Sequence, residues 1–152
     1  AAEKPLVTGS PAILYNEECG GCHLAYPPRL LPGVSWQANL RGLNDHFGEN
    51  AELDAETTTQ ILQYLNDNSA DQRSKRSKAR MDKQLQKLGH VPLRITELPW
   101  FERQHDEIPR RMTLDNPKLG SFSRCDACHQ EADRGKFNEH RVSIPGFGRW
   151  RD

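Results

Sequence analysis

Two short runs of cysteine and histidine carry the clearest chemistry in this chain of 152 residues: Cys19-Gly20-Gly21-Cys22-His23 and Cys125-Asp126-Ala127-Cys128-His129. Two cysteines three positions apart, followed at once by histidine, form the attachment signature of c-type haem. The thiols can each form a thioether to a haem vinyl group, and the histidine then lies under the macrocycle, where its imidazole can bind iron. These motifs use all four cysteines of the chain. We expect two covalent haem c groups, with His23 and His129 as proximal ligands.

Two CxxC pairs also allow a structural zinc site, two disulfides or two dithiol redox centres. A zinc ribbon usually keeps its pairs within about 15–20 residues of each other, whereas about a hundred residues separate these pairs. A thioredoxin-like centre needs a strand–helix–strand pattern, and none surrounds either pair. Neither zinc nor dithiol chemistry explains a histidine directly after both pairs, so the sequence favours haem.

Composition indicates one or two small domains that depend on their cofactors. Only 35% of the residues are hydrophobic, and the mean hydropathy is −0.85, which is little for a self-sufficient core. Two buried haems would add apolar surface and covalent cross-links. No run of about 18 apolar residues is present to span a membrane. Ala1-Ala2-Glu3 resembles the start of a chain cut at a small-residue cleavage site. Because thioether attachment takes place outside the bacterial cytoplasm, we expect a periplasmic protein.

The net charge is zero, but the charges are unevenly distributed. Residues 1–68 carry 3 basic and 9 acidic side chains, whereas residues 69–152 carry 18 basic and 12 acidic side chains. This asymmetry indicates two functional halves and oriented docking to charged partners. The basic half contains no recognisable nucleic-acid motif, so binding to nucleic acid is not expected.

The pattern of the N-terminal half predicts three helices and a proline-rich loop. The first helix ends at the first motif, Ser35 caps the second, and the third begins near Asp54 and packs on the first. The loop of residues 26–33 follows the first motif, because prolines stiffen the chain and lack N–H donors. We expect it to lie along the proximal haem face, where the Pro28 carbonyl could accept a hydrogen bond from Nδ1 of His23.

The C-terminal half is less regular. The basic run of residues 69–87 is interpreted as a solvated helix or linker, although it could also be a docking patch for an acidic partner. A helix beginning near Pro99 places Phe101, His105 and Ile108 on one face. We therefore expect a mainly α-helical protein with an N-terminal haem domain over residues 1–70, a basic helix or linker over 71–92, and a C-terminal haem domain over 93–152.

The ligand opposite His23 decides the chemistry of the first haem, and histidine and methionine are the usual candidates. The methionines, Met81 and Met112, both stand among charged residues. His46 is the only spare histidine of the N-terminal half. We therefore expect His46 to bind the first iron, the alternative being a histidine in a surface loop.

Three histidines remain for the second haem: His90, His105 and His140. His105 is the first candidate because it falls on an apolar face beside aromatic residues. A core histidine without a metal is the alternative for that position. His140 is the second candidate and His90 the third.

Several runs resemble the dihaem cytochrome c family, the small bacterial dihaem cytochromes associated with the sphaeroides haem protein. They are Cys22-His23-Leu24-Ala25-Tyr26-Pro27-Pro28, Leu43-Asn44-Asp45-His46-Phe47-Gly48-Glu49-Asn50, Arg94-Ile95-Thr96-Glu97-Leu98-Pro99-Trp100 with His105, and residues 125–135. The resemblance covers most of the chain outside the basic run. It implies an N-terminal domain similar to class I cytochrome c, a less regular C-terminal domain, and bis-histidine ligation of both haems. The implied pairs are His23 with His46 and His129 with a C-terminal histidine, His105 first. It further implies electron exchange with a soluble haem protein or a membrane cytochrome.

These patterns together predict a monomeric periplasmic electron carrier rather than an enzyme. With both axial positions of each iron filled by imidazole, no position is left vacant for a substrate, and electron transfer is outer-sphere. An alternative is that one iron has an open or displaceable ligand, and that the protein binds small diatomic molecules or reduces peroxide. A redox-sensing module is a third hypothesis, but the sequence offers no attached output domain.

Overall fold

The computed structural model describes residues 10–151, so the expectation about Ala1-Ala2-Glu3 lies outside the described residues. The described chain is mainly helical, as predicted. Its α-helices are α1 (Ser10–Cys19), α2 (Gly33–Arg41), α3 (Ala55–Asp67), α4 (Lys75–Leu88), α5 (Pro99–His105) and α6 (Cys125–Cys128). Short 3-10 helices connect them at Pro28–Leu30, Leu43–Asp45, Ala70–Gln72, Ile95–Glu97, Arg110–Met112, Ala132–Arg134 and Glu139–Arg141. An antiparallel pair, β1 (Ser143–Ile144) and β2 (Gly148–Arg149), completes the described elements.

An aromatic cluster joins the first three helices. Tyr15 of α1 meets Trp36 of α2 edge-on, with ring centroids 6.3 Å apart, and lies 5.7 Å from the ring of Tyr64 on α3. Ile61 and Leu65 of α3 are completely buried beside them. The predicted packing of α3 on α1 is therefore confirmed, and this cluster fixes the end of α1, where the first motif begins.

The helix starts show where local sequence signals succeed and where they fail. α3 begins near Asp54, as predicted, and Asp54 caps it, because its Oδ1 accepts a 2.8 Å hydrogen bond from the N–H of Thr57. Ser35 does not cap α2, because the helix already begins at Gly33 after Pro32. The N–H of Gly33 instead donates to Oδ1 of Asp71, 3.0 Å away. The cap of α2 thus comes from a residue 38 positions later, which no local pattern could reveal.

The basic run forms α4, and this helix packs on the rest of the molecule. Met81 is only 6% exposed and belongs to the same core as the N-terminal aromatic cluster. Gln84 accepts a hydrogen bond from the backbone N–H of Trp100 at the start of α5, 2.9 Å away. The basic side chains of α4 remain exposed: Lys75, Arg76, Lys78, Arg80, Lys83 and Lys87. The domain boundaries at residues 70 and 92 remain a prediction, since this core includes residues from both sides of them.

The C-terminal part is built from short elements held by cross-connections. His129 forms an isolated antiparallel bridge with Val142, just before β1. Nδ2 of Asn116 donates to the carbonyl of Pro145, 2.8 Å away, in the turn between β1 and β2. These contacts hold the second motif against the C-terminal segment. Within residues 10–151, no helix is long and apolar enough to cross a membrane.

Candidate haem sites

The first site brings the imidazole rings of His23 and His46 close together. α1 ends at Cys19, and the turn that follows carries Cys22 and His23. His46 lies on a tight turn in which its N–H donates to the carbonyl of Glu49 at 2.7 Å. The turn is closed by Phe47, which has a φ of 53°. The centroids of the two imidazole rings are 6.4 Å apart and their planes differ by 33°.

A short hydrogen bond orients His23. Its Nδ1 lies 2.7 Å from the carbonyl oxygen of Leu24, so the expected acceptor, Pro28, was wrong. The Pro28 carbonyl instead accepts from Nε1 of Trp36 at 2.9 Å and is buried with it. A carbonyl on Nδ1 fixes the tautomer and leaves Nε2 available for a metal.

The second site brings His129 and His105 together. Cys125 and Cys128 form the single turn α6, and His129 follows it directly. The ring of His105, at the end of α5, lies 6.3 Å from that of His129, and the planes differ by 79°. Nδ1 of His105 lies 2.7 Å from the carbonyl of Phe101, which again leaves Nε2 available.

Aromatic rings enclose this second pair. Phe101 stacks on His105 at 3.9 Å, and Phe122 meets the same imidazole edge-on at 5.5 Å. Phe137 lies 5.2 Å from His129. These groups line a cavity of about 300 Å³ that also contains Cys125 and Cys128. Nδ1 of His129 is buried without a hydrogen-bond partner among the described residues.

Burial lowers the pKa of three of the four site histidines, which favours their neutral form. Burial and, to a smaller extent, the neighbouring His105 together lower the pKa of His129 to about 4. Burial also lowers the pKa of His105, against a smaller opposite effect of the Phe101 carbonyl. The pKa of His46 is lowered by burial and by the nearby His23. Neutral imidazoles keep the nitrogen lone pair that a metal ligand needs.

Burial raises the pKa of three of the four motif cysteines, Cys19, Cys125 and Cys128. Burial raises the pKa of Cys19 to about 11 and that of Cys125 to about 11. All four cysteines are unpaired. Within residues 10–151, no three or more histidine, cysteine or acidic side chains form a group that could hold a metal ion. The two CxxC pairs therefore do not combine into a four-cysteine site.

The other histidine candidates lie elsewhere. The His140 side chain is 81% exposed, with Nε2 3.6 Å from Oε1 of Glu139. Nε2 of His90 lies 3.3 Å from Oε1 of Glu97, and its Nδ1 lies 3.1 Å from the Leu88 carbonyl. The geometry thus brings His105, rather than His140 or His90, to His129.

Both histidine pairs fit an iron held between two imidazoles. A metal–nitrogen bond of about 2 Å on each side, added to the two ring radii, gives roughly 6 Å between centroids. The observed separations are 6.4 and 6.3 Å. Each pair also lies next to a CxxC motif with unpaired thiols, so the residues present suit a covalently attached haem.

Sequence reasoning missed the contacts that link the two sites. The ring of Tyr26 stacks on His23 at 5.1 Å, and its hydroxyl donates to the carbonyl of Ser123 at 2.8 Å. Arg29 donates to the carbonyl of Gly135 at 2.6 Å. The hydrogen-bonded residues are 97 and 106 positions apart in the chain, so no periodicity or motif could have indicated them.

The chain is similar to a known protein family and to solved structures. The family model for dihaem cytochrome c matches residues 15–137. A solved diheme cytochrome c from Shewanella baltica OS155 is 45% identical, with a TM-score of 0.78, over 94% of this chain and 100% of that chain. A diheme cytochrome c from Rhodobacter sphaeroides is 44% identical, with a TM-score of 0.72, over 88% of this chain and 100% of that chain. Among curated proteins, no sequence matches significantly.

The similarity to dihaem cytochromes c identifies the cofactors of both sites. The family match includes both CxxC motifs, and the likeness to the Shewanella protein extends over nearly the whole chain. The cofactors are therefore two covalently bound haem c groups, as the cysteine spacing predicts.

Proposed function

Because this chain belongs to the dihaem cytochrome c family, we propose that it carries single electrons between redox partners in the bacterial periplasm through two bis-histidine haems. His23 and His46 are the axial ligands of one iron, and His129 and His105 those of the other. The single observation that carries the proposal is the pairing of each motif histidine with a second imidazole, at 6.4 and 6.3 Å between centroids.

The protein residues hold both axial positions and keep the geometry fixed. Carbonyls of Leu24 and Phe101 orient His23 and His105, and the stacked ring of Phe101 prevents the second imidazole from turning. Each bound haem would supply one-electron chemistry between ferric and ferrous iron, and the two histidines of its site would keep both of its ligand positions filled in either state. Two histidines give a lower potential than a histidine–methionine pair.

The proposed partners are a soluble haem protein and a membrane cytochrome. Opposite charges on the two halves of the chain support oriented docking, because a charged face speeds encounter with a partner of the other sign. The exposed basic side chains of α4 form a basic surface in the C-terminal half. We propose that the protein acts as a monomer.

Carbon monoxide tests the ligands directly. The wild-type protein, reduced with dithionite, is expected to show no spectral shift with carbon monoxide, since neither iron has an open position. His46→Ala and His105→Ala are each expected to open one site and shift about half of the haem absorbance, one haem of the two in the chain.

His140→Ala is the matched control, because this exposed histidine lies beside Glu139 rather than in the cavity. It is expected to behave as the wild type. A shift in the wild-type protein would contradict the proposal and favour binding of small diatomic molecules or reduction of peroxide. A shift in His140→Ala but not in His105→Ala would overturn the assignment of the second site.

A further inference from the structure

The segment that follows the first motif contacts the segment that precedes the second motif. Tyr26 comes three residues after His23, and its hydroxyl reaches the carbonyl oxygen of Ser123 at 2.8 Å. Ser123 precedes Cys125, the first attachment cysteine of the second motif, by two residues. One side chain thus lies between the two haem-binding motifs.

The ring of Tyr26 makes the other half of this connection. It stacks on the imidazole of His23 with 5.1 Å between centroids and 29° between planes. A phenol suits this position, since its apolar face can pack against a ring while its hydroxyl donates a hydrogen bond. The sequence of contacts is therefore continuous: imidazole, phenol ring, hydroxyl, backbone carbonyl and attachment cysteine.

Neighbouring contacts hold Tyr26 in place. Its own carbonyl accepts a 2.6 Å hydrogen bond from the hydroxyl of Tyr15, which belongs to the buried aromatic cluster. Three residues on, Arg29 donates to the carbonyl of Gly135 at 2.6 Å, six residues after His129 in the chain. Residues 26–29 thus make two hydrogen bonds to the C-terminal part, from Tyr26 to Ser123 and from Arg29 to Gly135. These bonds hold the Tyr26 ring in position between the two motifs.

We propose that Tyr26 provides electronic coupling between the two sites through its ring and its hydroxyl. This inference rests on the proposed function, in which His23 binds the first iron. One electron leaves the reduced site and arrives at the oxidised site, so that one iron is oxidised as the other is reduced. Tyr26 keeps its proton and all its electrons and supplies the connected path between the two sites.

Two substitutions separate the parts of this path. Tyr26→Phe keeps the stacked ring and removes the hydroxyl, and solvent can then satisfy the exposed Ser123 carbonyl. Tyr26→Leu removes both the aromatic ring and the hydrogen bond. Tyr64→Phe is the matched control, because it removes a hydroxyl from another tyrosine of the same half that lies on α3 and packs on Tyr15.

The measurement is the rate at which one electron redistributes between the haems after reduction by a photogenerated flavin semiquinone. Midpoint potentials and circular dichroism in the Soret band are recorded for each variant, because the Soret couplet reports the relative placement of the two haems. We expect a several-fold slower redistribution in Tyr26→Phe and a larger loss in Tyr26→Leu, with potentials and Soret dichroism unchanged. Tyr64→Phe should match the wild type.

Equal rates in all four proteins would overturn the inference. Slower rates accompanied by a changed Soret couplet would also overturn it, because Tyr26 would then act only by setting the distance between the sites. Failure of the proposed function is recognised separately, by a shift with carbon monoxide in the wild-type protein. That result does not depend on residue 26.

Discussion

At the scale of single residues, the two histidine pairs differ in one property, the angle between their imidazole planes. The planes of His23 and His46 differ by 33°, whereas those of His105 and His129 are nearly perpendicular at 79°. Aligned imidazoles donate electron density along one direction and split the iron d orbitals. Crossed imidazoles donate equally along two directions and leave these orbitals nearly degenerate.

Electron paramagnetic resonance of the ferric protein is therefore expected to show two different low-spin signals. The signal with the larger maximum g value should belong to the pair of His105 and His129. His105→Ala should remove that signal and leave the other in place, which assigns it to the second site. Two identical signals, or loss of the wrong one, would contradict the observed ring orientations.

The types of the site residues could be predicted from the sequence, but their supporting contacts could not. His23 and His129 follow from the motif, because attachment chemistry fixes the spacing. His105 was chosen for its aromatic face, and the structure places it on Phe101. The prediction that the Pro28 carbonyl accepts from Nδ1 of His23 is wrong, since the acceptor is the carbonyl of Leu24. Every residue has a backbone carbonyl, so the sequence does not indicate which one is used. Tyr26 was missed, because its partner lies 97 residues away.

At the scale of the elements, Asp71 joins the start of α2 to the segment after α3. Burial alone would raise the pKa of Asp71. Hydrogen bonds from the hydroxyl of Ser69, from the N–H of Gly33 and from its own N–H, together with the charge of Lys78, outweigh burial and hold the pKa below its usual value. A carboxyl whose pKa is lowered on folding stabilises the fold above its unfolded pKa. That stabilisation is lost as the pH falls through the folded pKa.

Thermal unfolding of the haem-loaded protein between pH 7 and pH 3 tests this carboxylate. Asp71→Asn is expected to lower the melting temperature at pH 7, and the difference from the wild type should shrink as the solution becomes acidic. Asp67→Asn, at the exposed end of α3, is the matched control and should give no such pH-dependent difference. A constant difference at every pH for Asp71→Asn would exclude the carboxylate charge as the cause.

Elements with local signals were predictable, and those made by distant contacts were not. The start of α3 follows from the Asp54 cap, which acts within one turn. The sequence predicts a cap at Ser35 for α2, whereas the helix begins at Gly33, after Pro32, and the N–H of Gly33 donates to the distant Asp71. The pair β1 and β2 was not predicted, because two strands of two residues each are too short to show an alternating pattern.

At the scale of the whole molecule, part of the excess basic charge of the C-terminal half lies on the exposed face of α4. The basic side chains of α4 all face solvent, while Met81 holds the opposite face of the helix in the core. This exposed face can attract an anionic partner without changing the fold. Exposed charges act mainly on the association rate, and salt screens their effect.

Charge reversal on α4 is expected to slow oxidation by an anionic oxidant. In the reduced protein, Arg80→Glu with Lys83→Glu should lower the second-order rate with ferricyanide at low ionic strength. The difference from the wild type should disappear at high salt. Arg149→Glu with Arg151→Glu is the matched control, since it changes the net charge equally at exposed positions away from α4. Equal slowing by both double variants would attribute the effect to net charge rather than to α4.

We propose that two imidazoles hold each of the two irons of this small chain. Near-infrared magnetic circular dichroism of the ferric protein distinguishes this ligation from its alternatives, because the position of the charge-transfer band identifies the pair of axial ligands. We expect a bis-histidine band whose intensity corresponds to two haems per chain. A histidine–methionine band, or high-spin intensity from one haem, would rule out bis-histidine ligation of both irons.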